Sequence, residues 1–231
     1  MIAPLHLAGE RLGLCPLGVA LWPARRTLIA ADLHLEKGSS FAARGAPIPP
    51  YDTRETIRRL ALALRRHDPA RVILLGDSFH DRHGASRLPA EDRATLARML
   101  TTREAIWILG NHDPAPPEGL PGTATEALSD GALRFVHIAD PAAKPGEISG
   151  HYHPKATLPT RAGPVTRPAF LADARRLMLP AFGAYAGGLD ASDPALARLF
   201  ARGGRAFLLG AERLFSVPLS AGRRAAPSPA A

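Results

Sequence analysis

Val72-Ile-Leu-Leu-Gly-Asp-Ser-Phe-His-Asp81 decides how this chain is read. Four apolar residues in a row, stopped by a glycine, are too short for a helix and do not alternate with polar ones. Such a run fits a strand buried on both faces. It ends in a polar cluster, Gly76-Asp77 followed by His80 and Asp81. The same grammar recurs on either side. Thr27-Leu-Ile-Ala-Ala31 runs into Asp32-Leu33-His34, and Ile106-Trp-Ile-Leu109 runs into Gly110-Asn111-His112-Asp113. Helical spacing separates the three. A Pro-rich loop leads to Asp52, which with Glu55 reads as a capping box for a helix carrying Ile57, Leu60, Ala61 and Leu64. That helix ends near His67-Asp68-Pro69, and Pro89 opens a second one with Leu96, Met99 and Leu100. Strand, helix, strand, helix, strand is an α/β sheet, whose site is expected beyond the carboxyl ends of the strands.

After Gly122 short strands follow one another, interrupted by one helix that Ser192-Asp193-Pro194 opens, so a mostly antiparallel sheet is expected there. This half supplies His137 and Gly150-His151-Tyr152-His153. Asp32 and His34 are two apart, as are His151 and His153, and in extended chain such pairs point the same way. Six of the nine histidines fall in these clusters. Each alone reads as a hydrogen-bonded structural histidine; together they do not. Carboxylates, imidazoles and one amide, without thiolates, describe a divalent metal site that favours Mn, with Fe or Zn open.

In order, Asp32-x-His34, Gly76-Asp77, Gly110-Asn111-His112-Asp113, His137 and Gly150-His151-x-His153 resemble the signature of the calcineurin-like metallophosphoesterases. Leu179-Pro-Ala-Phe-Gly-Ala-Tyr-Ala-Gly-Gly-Leu189 resembles a stretch of the ligase-associated DNA damage response endonuclease branch. One block departs from the broad pattern: His80 stands where a second Asp is usual, in a form similar to SbcD-type DNA repair nucleases. The resemblance implies a four-layer α/β/β/α sandwich of two mixed sheets. It also implies two divalent ions, one held by Asp32, His34, Asp77 and His153. Asp77 bridges to the other, held with Asn111, His137 and His151. A water activated between them would attack a DNA phosphodiester in line. His112 would protonate the leaving oxygen, Asp113 would orient its ring, and His80 would steady the phosphate or His112. DNA is the implied partner, and a DNA ligase or helicase is implied by the resemblance only. Two alternatives stand beside this reading: a phosphodiesterase or phosphatase for a small nucleotide, and a catalytically dead scaffold. Retention of every ligand position and of His112-Asp113 weighs against the scaffold.

Composition sets the outer bounds. With 231 residues, 46% apolar and 22% charged, the chain reads as one globular domain over 1–219, with a small Pro-rich tail over 220–231 expected to be disordered. Lys and Arg number 29 against 21 acidic residues, and three of the 29 are Lys. The excess suits a polyanionic partner but is equally explained by Arg-rich codon usage. Cys15 is the only cysteine, which excludes an intrachain disulfide. No apolar run reaches membrane length, and a cytoplasmic location is expected. His6 and His67 read as ordinary histidines, Arg82 and His83 as possible cleft residues, Gly187-Gly188 as a turn, and Tyr185 as a core tyrosine.

Overall fold

The computed structural model describes residues 1–219, so the expected disordered tail lies outside the described residues. Seven strands form the first sheet in chain order: β1 (Ala3–Leu7), β2 (Glu10–Leu14), β3 (Ala20–Trp22), β4 (Thr27–Ala31), β5 (Arg71–Leu75), β6 (Glu104–Ile108) and β7 (Thr123–Thr125). The first three join antiparallel as far as β4, and β4 to β7 run parallel. Between them lie α1 (Lys37–Ala43), α2 (Asp52–His67), α3 (Gly84–Arg87) and α4 (Ala90–Thr101).

The unbroken apolar runs have the expected cause. Consecutive strand side chains point to opposite faces, and both faces of this sheet are covered. Leu28, Ala30, Val72, Leu74 and Trp107 pack with Ile57, Leu60 and Leu64 of α2 and Leu96 and Leu100 of α4. Their neighbours Ile29, Ala31, Ile73, Leu75, Ile106 and Ile108 pack against a second sheet, meeting Phe135, Ile148, Phe170 and Leu177. Phe135 and Phe170 are fully buried there; truncating either to Ala would cost about 3–5 kcal/mol.

The second sheet comprises β8 (Ala127–Asp130), β9 (Leu133–Val136), β10 (Glu147–Ser149), β11 (Lys155–Leu158), β12 (Val165–Ala172), β13 (Arg176–Met178), β14 (Gly204–Leu209) and β15 (Leu214–Leu219). Its order is β15-β14-β12-β13-β10-β9-β8, with β11 paired to β12 off that path. Only β10 runs parallel to its neighbours, β9 and β13; the other pairs are antiparallel. Its outer face, with Leu171, Met178 and Leu208, packs on Leu196, Leu199 and Phe200 in and just after α5 (Pro194–Leu199). Helix, sheet, sheet, helix is the four-layer sandwich that the resemblance implied.

Two helix starts are informative. Asp193 caps α5 as read, its carboxylate accepting from the Ala195 amide at 2.8 Å. Asp52 does not cap α2. It is the first residue of that helix, and its buried carboxylate accepts from the Gly38 amide at 3.1 Å, in the first turn of α1. Glu55 instead holds Arg58 through two 2.8 Å bonds. The first-turn amides of α1 lack intrahelical partners, and Asp52 answers that need across the fold instead of along its own helix.

Candidate metal centre

Parallel register sets Ala31, Leu75 and Ile108 level with one another at the carboxyl ends of β4, β5 and β6. The residues that follow, Asp32-His34, Gly76-Asp77 and Gly110-Asn111, therefore emerge on one edge. His137 leaves β9 and Gly150-His151 leaves β10 at the matching edge of the second sheet, where the Gly150 amide bonds the His137 carbonyl at 3.0 Å. All seven ligands named from the sequence come together here.

They converge by another route than extended chain. Asp32, His34, Asp77, His151 and His153 have φ of 54°, 45°, 46°, 72° and 47°. Left-handed backbone at a non-glycine residue costs roughly 1–2 kcal/mol. Five such residues at one edge mark a site whose surroundings over-determine its geometry. Glycines make the room. At Gly150 a Cβ would lie 2.5 Å from Asp32 Oδ2, and at Gly110 it would collide with the Asp77 amide and carboxylate.

Two ligand sets result: Asp32, His34 and His153 in one, Asp77, His137 and His151 in the other, with each set's ligand atoms within 4.8 Å of one another. In the first, His34 Nε2 lies 3.0 Å from His153 Nε2, and His153 Nε2 lies 3.4 Å from Asp32 Oδ1. In the second, His137 Nε2 lies 3.1 Å from His151 Nδ1, 3.0 Å from Asn111 Oδ1 and 3.4 Å from Asp77 Oδ1. Asp77 faces both ways, its Oδ2 turned to His34 Nε2 at 3.9 Å.

Lone pairs outnumber protons at such a centre. Each imidazole pair can hold one hydrogen between its nitrogens, and the carboxylates and the Asn111 oxygen bring only acceptors. Burial, reinforced by the charge of His153, holds His34 down at about 3, so its ring is neutral and free to ligate. Burial raises Asp77, but the hydrogen bond and charge of His137 outweigh it and keep the carboxyl at about 2. The Leu75 carbonyl accepts from His137 Nδ1 at 3.1 Å; the proton on Nε2, which faces Asp77, is the one an ion would displace to leave Nε2 as the ligand atom. Asp32, wholly buried, accepts the His151 amide at 3.1 and 3.0 Å. The donor set fits two divalent cations sharing Asp77.

Beside the ligands the roles read from sequence change. Asp113 does not orient His112. Its oxygens accept the Phe79 and Gly110 amides, each at 3.1 Å, and burial pushes its carboxyl up to about 6. A carboxylate one residue from His112 on a tight turn reaches backbone amides more easily than its neighbour's ring. The His112 ring is held instead by the His80 carbonyl, 2.7 Å from Nδ1. The His80 ring stacks on that of His112 at 5.4 Å and 24°, and its Nδ1 lies 3.4 Å from His34 Nδ1. Sequence offered no signal for a backbone carbonyl in this role.

Asp81, next to His80, is clamped by Arg87 at 2.7 and 3.0 Å. The Leu179–Leu189 stretch docks beneath the site: the Phe182 and Gly183 amides bond the carbonyls of Ala31 and Asp32 at 2.8 and 3.1 Å. Tyr185 on that stretch is 36% exposed, against the expectation of a core residue. The amides flanking it are in use, Ala184 on Thr56 Oγ1 and Ala186 on the Gly183 carbonyl, so the segment is fixed while the ring stays outside. His67 Nε2 lies 3.5 Å from the buried Cys15 thiol, far from the ligands in sequence and chemistry. No helix among the described residues is long and apolar enough to cross a membrane.

Residues 25–169 match the calcineurin-like phosphoesterase family. The fold is similar to the crystal structure of Pseudomonas putida nuclease MPE, with 28% identity over 94% of this chain and 100% of that chain and a TM-score of 0.73. A likeness to Yfce, a phosphoesterase from E. coli, is weaker: 15% identity over 84% of this chain and 99% of that one, TM-score 0.39. No protein among the curated ones matches.

Proposed function

The chain belongs to the calcineurin-like phosphoesterase family and is a metal-dependent phosphoesterase, and we propose that the bond it hydrolyses is a phosphodiester of DNA. The observation that carries the two-ion chemistry is Asp77, one carboxylate with an oxygen toward each ligand set, at 3.4 Å from His137 Nε2 and 3.9 Å from His34 Nε2. DNA as substrate is supported by the likeness to a nuclease along the whole of that chain and by the formal charge of +8. Manganese is the ion we assign, because oxygen and imidazole donors without thiolate suit it.

Asp32, His34 and His153 would hold one ion, Asn111, His137 and His151 the other, and Asp77 both. Bound dications at such a site acidify water and neutralise charge on phosphoryl oxygens. The chain's own residues supply the rest. His112 donates Nδ1–H to the His80 carbonyl, which leaves Nε2 turned to the centre, 3.9 Å from Asp77 Oδ2. There, carrying a second proton on Nε2, the imidazolium is placed to give that proton to the departing sugar oxygen and return to the neutral Nδ1–H ring. The His112 amide is itself fixed, donating to Asp77 Oδ1 at 3.0 Å.

A turnover panel with added Mn tests the substrate: plasmid DNA, short single strands, a cyclic nucleotide and an aryl phosphodiester. Cutting of DNA is the expected result. Strong turnover of the cyclic nucleotide with DNA left intact would overturn the DNA reading.

A further inference from the structure

On the His112 side of the centre a row of rings leads outward. His34 meets His80 at 5.4 Å, and His80 meets Phe41 of α1 at 5.8 Å. Lys37 Nζ lies 5.9 Å over the Phe41 ring and donates to the Tyr185 carbonyl at 3.0 Å. That bond uses one of the three ammonium donors. Arg44 closes the helix three residues beyond Phe41, exposed, and both Lys37 and Arg44 act electrostatically on His80. From Lys37 to Tyr51 the sequence holds no Asp or Glu. The carboxylates close by are engaged: Glu36 by Thr53, Asp52 by Gly38 and Asp81 by Arg87.

We propose that α1 and the Tyr185 segment form a shelf for the polynucleotide beyond the scissile phosphate, with Lys37 and Arg44 meeting backbone phosphates and Phe41 and Tyr185 meeting bases. The inference rests on the DNA reading above and names the residues that would carry it. Two free cations interleaved with two accessible rings, reaching outward from the proton donor, match a strand of alternating phosphates and flat bases. A lone phosphate would need only the cations. Cation grooves with aromatic platforms are the general solution for holding such strands.

The test is binding, read by fluorescence anisotropy on labelled single- and double-stranded DNA across a salt series, in chelator so that no bond is cut. Arg44→Gln and Lys37→Gln are each expected to make the slope of log K against log salt shallower by about 0.7–0.9. Phe41→Leu and Tyr185→Ala are expected to weaken binding by roughly 5-fold or more with the slope unchanged. Arg44 is exposed, so Arg44→Gln remains informative even if a Phe41 variant fails to fold. Wild-type slope and affinity in the Arg44 and Tyr185 variants, in a protein that still binds and cuts DNA, would overturn the shelf alone. A wild-type protein that binds no DNA yet turns over an aryl phosphodiester would overturn the DNA reading and the shelf with it.

Discussion

The carbonyl oxygen of His80 lies 2.7 Å from Nδ1 of His112. A carbonyl only accepts, so Nδ1 carries a proton, and the ring is held with Nε2 toward the centre. With a second proton on Nε2 the ring can give it to the leaving oxygen, a part whose weight depends on the leaving group. His112→Ala should lower turnover of DNA, whose sugar oxygen departs poorly, by about 10²–10⁴-fold. A bis-nitrophenyl ester departs without a proton and should lose much less. Equal losses with metals intact would assign His112 to charge stabilisation on the phosphate instead.

Asp113 makes the contrasting case. Its carboxylate holds the Phe79 and Gly110 amides, so Asp113→Ala leaves two donors without a partner. Thermal or denaturant unfolding should show a loss of about 2 kcal/mol or more, and the rate losses on DNA and on the nitrophenyl ester should be alike. A loss confined to DNA would restore the orienting role that the sequence suggested.

Much of this site was legible because its residues stand where buried strands stop. Apolar runs ending in Asp, Asn and His reveal both the sheet edge and the ligand chemistry. The backbone that aims them was not legible. His34 and His153 take left-handed φ, and nothing local in Leu-His or Tyr-His asks for it; the packed edges of two sheets impose it. Other misreadings share that cause. Asp52 looks like a cap for its own helix and serves α1 instead. The helix α1 is preceded by Glu36, which has φ of 63° and gives no side-chain cap; with Gly38, Ser39 and Ser40 in its first turns it gives no propensity signal. Strand β1 pairs with β2 along its whole length, yet it contains Pro4 and is half exposed, so it lacks the apolar run that betrayed the others.

Gly150 turns this into a measurement. A Cβ there would lie 2.5 Å from Asp32 Oδ2 and 2.9 Å from Ala31 Cβ. Gly150→Ala should cost roughly 1–3 kcal/mol by overpacking and weaken ion binding in the Asp32 set. Calorimetric titration with Mn would read it, and wild-type affinity in that variant would refute the close-approach argument.

The Asp81–Arg87 clamp predicts an acid dependence. Burial alone would raise Asp81, but the Arg87 guanidinium outweighs it, and the carboxyl is held well below the ordinary range, with the His83 amide adding to it. A depressed carboxyl contributes stability that is complete above its unfolded value, about 3.9, and fades as pH falls through the folded one. Asp81→Asn should therefore cost about 2 kcal/mol near neutrality, a gap that narrows below roughly pH 4. Urea unfolding at pH 7 and pH 3 would show it; an equal gap at both would contradict the ion pair.

The most direct measurement counts ions in wild type and Asp77→Asn, by calorimetric titration with Mn and metal analysis after dialysis, alongside turnover of DNA and of the aryl diester. One carboxylate facing both ligand sets predicts about two ions per wild-type chain. It predicts fewer in the variant, with both activities lost, as they are when wild type is treated with chelator. Two ions and full turnover in Asp77→Asn, or full turnover of wild type in chelator, would contradict a centre built on a shared Asp77.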